Sequence, residues 1–114
     1  MNACFSRLLA RNMNTTIDVL HHFERGVLML TCEGRLRKKL LRFWFECLMD
    51  IPPAALAQGL RPELQVLSDH FSGPHARPLQ DCCEEDIQVL LRQLLAFYHR
   101  LSEQAFAESR VLVR

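Results

Sequence analysis

Glycine is scarce in this sequence, with four residues in 114, each isolated, at positions 26, 34, 59 and 73. That excludes a glycine-rich phosphate loop, which needs clustered glycines to bring backbone amides onto an anion. No apolar run approaches the roughly 18 residues of a transmembrane helix. No segment alternates apolar and polar residues for long enough to read as a strand. Repeats and low-complexity tracts are missing too. The five cysteines (4, 32, 47, 82 and 83) are odd in number, two are adjacent, and no C-x-x-C spacing occurs. They make a poor disulfide framework and fit a reducing, cytoplasmic setting. The first dozen residues lack the apolar core of a secretory signal, although Ser6, Arg7 and Arg11 with no acid before Asp18 give them a faint transit-peptide character. Residues 1–13 are expected to form a short, basic, flexible segment ahead of one helical domain spanning 1–114.

Net charge is only +1, but it is unevenly spread. Residues 1–45 hold eight Lys/Arg against three Asp/Glu, whereas residues 46–114 hold six against ten. Opposite halves can attract within one fold or across a dimer. Hydrophobic residues make up 49% and charged residues 24%, an ordinary composition for a chain long enough to bury one core.

What remains is helical punctuation. Thr15-Thr16 can cap a helix carrying Val19, Leu20, Phe23, Val27 and Leu30 on one side, weakened by Gly26 and ended by Gly34. A second helix runs from about Arg35 to Met49 or Asp50, where Pro52-Pro53 stops it. A single turn follows at 53–58. Pro62 opens a short helix to Phe71, and Gly73-Pro74 closes it. Residues 75–80 read as loop. Asp81 with Glu84 resembles a capping box for the last helix, whose Ile87, Leu90, Leu91, Leu94, Tyr98, Leu101 and Ala105 hold one stripe to about Arg110. The expected fold is all-α, a small bundle of four to five helices with a long C-terminal one. At 1.5 Å per residue that last helix is about 40 Å long, more than the roughly 34 Å diameter of a compact domain this size. Its end, with Phe106, Val111, Leu112 and Val113, is expected to overhang the body.

The strongest single feature is Leu40–Met49, in which eight of ten residues are apolar. On a helical wheel Leu36, Leu40, Phe43, Trp44, Cys47 and Ile51 form a core stripe. Leu41, Phe45, Leu48 and Met49 form a second on a neighbouring face. Together they exceed the arc of about 100° that a surface helix buries. Such a helix is either the centre of its own bundle or half of an interface.

Candidate chemistry is thin. Cys82-Cys83 near His75 offers nucleophile and base, but no local signature frames them, and Glu84, Glu85 and Asp86 oppose thiolate formation. A zinc set drawn from His70, His75, Cys82 and Cys83 lacks regular spacing. His21-His22 lies off the apolar stripe and is expected to face solvent. The cluster Arg35, Arg37, Lys38, Lys39 and Arg42 can attract nucleic acid. It sits on the most hydrophobic helix, however, with little free face for a groove. Membrane docking through Phe43-Trp44-Phe45 is set aside because the surrounding helices suggest packing in a bundle. No catalytic residue, metal or cofactor is expected.

In size, helical character and texture, with Met13 to Leu20 opening the first helix and Leu40 to Met49 as an over-hydrophobic second, the chain resembles the QslA-like quorum-sensing antiactivators of LuxR-type transcription regulators. The resemblance implies a dimeric helical protein that occupies a regulator and blocks its dimerisation. A secretion or flagellar chaperone would use a similar surface. The expected function is non-enzymatic sequestration of a protein partner. Leu41, Phe45, Leu48 and Met49 serve as anchors, Lys38 and Arg42 lie at the rim, and Leu94, Tyr98, Leu101 and Phe106 provide homodimerisation.

Overall fold

The computed structural model describes residues 13–112, all of whose regular elements are helical. Four α-helices, α1 (Thr16–Leu30), α2 (Leu36–Glu46), α3 (Arg61–Ser72) and α4 (Glu84–Leu112), are joined by short connections containing four 3₁₀ turns. The all-α bundle with a long last helix is the architecture expected. The expectation of a flexible start lies outside the described residues up to residue 12. Met13, placed at its end, is instead packed into the core.

Thr15 caps α1 as its sequence implies, its hydroxyl accepting from the Asp18 amide at 3.3 Å. Burial falls on Thr16, Val19, His22, Phe23 and Gly26, so the inner face of α1 is rotated slightly from its apolar stripe. Gly26 is the reason α1 and α2 approach closely: a Cβ there would lie 2.6 Å from Phe43 Cε2 and 2.8 Å from Cys47 Sγ. Its low helix propensity is the cost of that contact. The turn between the two helices contains Gly34 at φ +130°, a conformation that L side chains rarely adopt.

Helix α2 is shorter than expected. It ends at Glu46, Cys47 takes φ −130° and ψ −67°, and a 3₁₀ turn, Leu48–Asp50, follows. The extended Ile51 then leads into Pro52-Pro53. Helix α3 starts with Pro in its first turn and closes on Gly73, close to its expected limits. Asp81 does not cap α4; it ends a 3₁₀ turn, Leu79–Asp81, and the Ile87 amide donates to the Cys83 carbonyl, placing the cap at Cys83. The acids Glu84, Glu85 and Asp86 do occupy the first turn of α4, where the helix dipole favours them.

Both α1 and α3 run antiparallel to α4. Glu24 of α1 meets Tyr98, and Glu63 and His70 of α3 meet Arg100 and Gln93. The core is centred on Phe23, which packs edge-on against Phe43 at 5.3 Å and Phe97 at 5.2 Å between centroids. Ile87, Leu90, Leu94, Phe97 and Leu101 present the buried side of α4. The 29 residues of α4 account for much of the 49 Å long axis. Residues 106–110 are exposed, but Glu108 and Ser109 share a groove with Thr15–Ile17 and Ala54–Ala57, so α4 stays beside the body at least to Ser109 and does not overhang there; the side chains of Val111, Leu112 and Val113 lie outside the described residues.

Candidate functional site

The outer side of α2 carries the exposed apolar line. Leu41 is 45% exposed, Phe45 50% and Met49 41%, whereas Leu48 is 2% exposed. The first two are one helical turn apart on α2, and Met49 is exposed beyond the break, in the 3₁₀ turn. The same break removes Leu48. A straight helix would put it beside Leu41 and Phe45, but the change of direction at Cys47 swings its side chain into the core. Leu48 is therefore a packing residue and not a surface anchor. Lys38 is exposed at the head of the line, and Arg42 flanks it with Nε donating to Glu46 Oε2 at 3.0 Å. On the neighbouring side of α2, Trp44 lies flat on Phe71 of α3, 5.3 Å between centroids and 6° between planes. That stack covers the indole and leaves Leu41 and Phe45 as the most exposed large apolar side chains of α2.

Two of the five clustered basic side chains are committed inside the fold. Lys39 Nζ donates to the carbonyls of Leu30 at 2.8 Å and Cys32 at 2.7 Å. It supplies from α2 the cation that the last turn of α1 lacks. Arg37 donates to the carbonyls of Leu79 and Cys82, each at 3.0 Å, and pairs with Glu84 at 3.2 Å, stapling the approach to α4 onto α2. Arg42 pairs with Glu46 at the surface, and Arg35 and Lys38 are exposed, so only part of the cluster is presented to solvent.

A polar knot behind the same helix was not visible in the sequence. His22, expected in solvent beside His21, is buried. Its Nε2–H donates to the Cys47 carbonyl at 3.1 Å, since a carbonyl can only accept, and the Cys47 thiol points back to the His22 carbonyl at 3.6 Å. Together these two residues bind the break in α2 to the middle of α1. Burial, the largest influence, pushes the His22 imidazole below its ordinary pKa, and the same burial drives the Cys47 thiol far upward. Asp50, with Oδ2 buried and lacking a hydrogen-bond partner among the described residues, and Arg25 act on both groups by charge. The sequence does hold a trace of this inner face: Val19, His22, Phe23 and Gly26 share one side of the helix.

Cys32, Cys47, Cys82 and Cys83 are free thiols. Cys83 is exposed at the cap of α4, and Cys82 turns toward the Pro78 carbonyl at 3.6 Å. Among the described residues no group of three His, Cys, Asp or Glu side chains is placed to hold a metal ion.

The residues expected to mediate self-association divide. Leu94 and Leu101 are fully buried, and they belong to the interior because Leu94, Phe97 and Leu101 form the centre of the inner face of α4. Tyr98 is half-buried at the edge of that face, its hydroxyl donating to Glu24 Oε2 at 2.9 Å, a bond that raises its pKa. Phe106 alone of the four is a large exposed surface, at 66%.

Comparison with protein-family models, with curated proteins and with solved structures finds no match. No helix among the described residues is long and apolar enough to cross a membrane.

Proposed function

We propose that this protein is a non-enzymatic regulator that binds and sequesters another polypeptide through the outer face of α2. The observation that carries the reading is the exposure of Leu41 and Phe45, one turn apart on α2, and of Met49 in the 3₁₀ turn that follows, each between two fifths and one half. Interface anchors are typically aromatic and aliphatic side chains bordered by cations, and Lys38 and Arg42 border this line. The occupant it suits is an apolar groove with an acidic rim, entered by the helix face. The resemblance described above makes a transcription regulator of the LuxR type the partner class, with its dimerisation or DNA binding as the step blocked. A chaperone for secreted subunits would use the same face on an unfolded client. Direct DNA binding is the weaker alternative, because Arg37 and Lys39 spend their donors on backbone carbonyls.

The test compares exposed Phe45 on α2 with buried Leu48 in the turn beyond it. Phe45→Ala should weaken partner affinity by about 2 kcal/mol, or roughly thirtyfold, with an unchanged melting temperature. Leu48→Ala should do the reverse, costing about 2–5 kcal/mol of stability while binding per folded molecule is kept. Calorimetric titration with the purified partner reads the affinities, and thermal unfolding reads the stabilities. Unchanged affinity for Phe45→Ala rejects the site; a partner that is a folded regulator separates antiactivation from chaperoning.

A further inference from the structure

The outer side of α4, directly opposite its buried face, repeats every four and then three residues from Glu85 to Arg110, and every residue at those steps is exposed. Alternating four-three spacing brings residues onto one strip along which a second helix can lie, and here Val89, Ala96 and Phe106 are the apolar members among charged and polar ones. The chemistry along this seam reads the same backwards with sign reversed. Counting outward from a point between Phe97 and Tyr98, Ala96 stands opposite His99, Arg92 opposite Glu103, Val89 opposite Phe106, and Glu85 opposite Arg110.

We infer that the outer face of α4 binds a second copy of this chain, antiparallel, about a two-fold axis crossing the helix between Phe97 and Tyr98. In that register Arg92 meets Glu103 of the second copy and Glu85 meets Arg110 of the second copy. Val89, itself 44% exposed, packs on the Phe106 of the second copy. Symmetry makes every such pair twice, so the interface has four ion pairs and two apolar contacts around a small central layer of Ala96 and His99. Two of these side chains already have neighbours on their own helix. Glu103 is held by His99 at 2.9 Å, and the Arg110 guanidinium lies 5.8 Å from the Phe106 ring centroid, at the exposed end of the helix. A parallel pairing in register sets Glu85 against Glu85, Arg92 against Arg92, Glu103 against Glu103 and Arg110 against Arg110, so like charges exclude it. The surface is distinct from the α2 line and independent of the partner proposed for that line. It also replaces Leu94 and Leu101, which the core occupies, with residues that reach solvent.

The experiment is sedimentation of the full chain at about 1 to 100 µM, the range suited to a narrow, partly polar interface. Wild type is expected to dimerise, more weakly as salt rises. Arg92→Glu and Glu103→Arg each turn two attractive pairs into two repulsive ones and should each raise the dissociation constant about tenfold. The double variant should return to within about threefold of wild type. Arg92 and Glu103 of one chain are about 16 Å apart along the helix, so rescue has to be between molecules. Melting temperatures confirm that each exposed-site variant is folded, and Phe106→Glu provides a further lesion if one is not. A monomer throughout the range, single reversals without effect, or a double variant as weak as the singles overturns the proposal. None of those outcomes touches affinity at Phe45.

Discussion

Gly26→Ala is a substitution on which two simple arguments disagree. Helix propensity favours alanine in a helix interior by about 1 kcal/mol. Packing opposes it. The new Cβ would sit 2.6 Å and 2.8 Å from two atoms of the Phe43 ring and 2.8 Å from Cys47 Sγ, whereas ordinary carbon contacts lie at about 3.5–4.0 Å. Relief needs a retreat of about 1 Å. Phe43 is fully buried and abuts Phe23 edge-on at 5.3 Å, and Cys47 is fixed by its exchange with His22. Neither neighbour is the free end of a flexible side chain. Overpacking of this kind costs about 1–3 kcal/mol, and two rigid neighbours place it at the top of that range. The net loss is then about 2 kcal/mol, or a melting temperature lower by about 8 °C for a chain of this size. Gly59→Ala is the control, because a Cβ there meets nothing within 4 Å and its φ is not positive; it should be neutral or stabilising by up to about 1 kcal/mol. Thermal and urea unfolding of both variants decide the matter. If Gly26→Ala melts at or above wild type, the contact between α1 and α2 is not limited by that glycine.

Two further outcomes come from the knot at Cys47. Because burial depresses the His22 pKa in the folded state, the unfolded chain binds more protons just below pH 6.5. Stability is therefore present above that pH and falls as pH drops from about 7 toward 5, by at most about 1.4 kcal/mol per pH unit, with Asp50 offsetting and Arg25 reinforcing the loss. Urea titrations across that window should show the slope in wild type and a flatter one in His22→Gln; equal slopes would refute it. Thiol labelling of the native protein, read by mass spectrometry, should modify Cys32 and Cys83 first and Cys47 only on unfolding, since Cys47 is buried with its proton held. Native labelling of Cys47 at the rate of Cys83 would contradict the buried knot.

The parts of the fold that were legible in the sequence are those governed by local chemistry. Thr15 accepts from the start of α1, Pro62 opens α3, and the acids of α4 gather at its first turn; Gly34, expected to end α1, instead takes the positive-φ position of the connecting turn, and α1 closes earlier, at Leu30 with Thr31 as its cap. What escaped is what depends on tertiary contacts. A wheel drawn straight through Cys47 puts Leu48 outside with Phe45, whereas the break at Cys47 turns it in. His22 cannot be read as a core residue from its neighbours, because the carbonyl that satisfies its buried ring lies 25 residues away in sequence. For α4 the period was right, but Phe97 lay outside the assigned stripe. With Phe97 included, the middle of the buried face moves to Leu94 and Leu101, and the outer side becomes available for another role.

The ties between α1 and α2 are nested. Lys39 reaches the Cys32 and Leu30 carbonyls across 7 and 9 residues, Phe43 fills the hollow at Gly26, and Cys47 locks to His22 across 25. Each inner tie shortens the loop that the next must close, so the pair can zip from the Gly34 turn outward with little entropy lost at any step. The link from Glu24 to Tyr98 spans 74 residues and gains nothing from that zipper. A ribosome releasing this chain would therefore deliver a finished hairpin first, its greasy inner side waiting for a helix not yet synthesised.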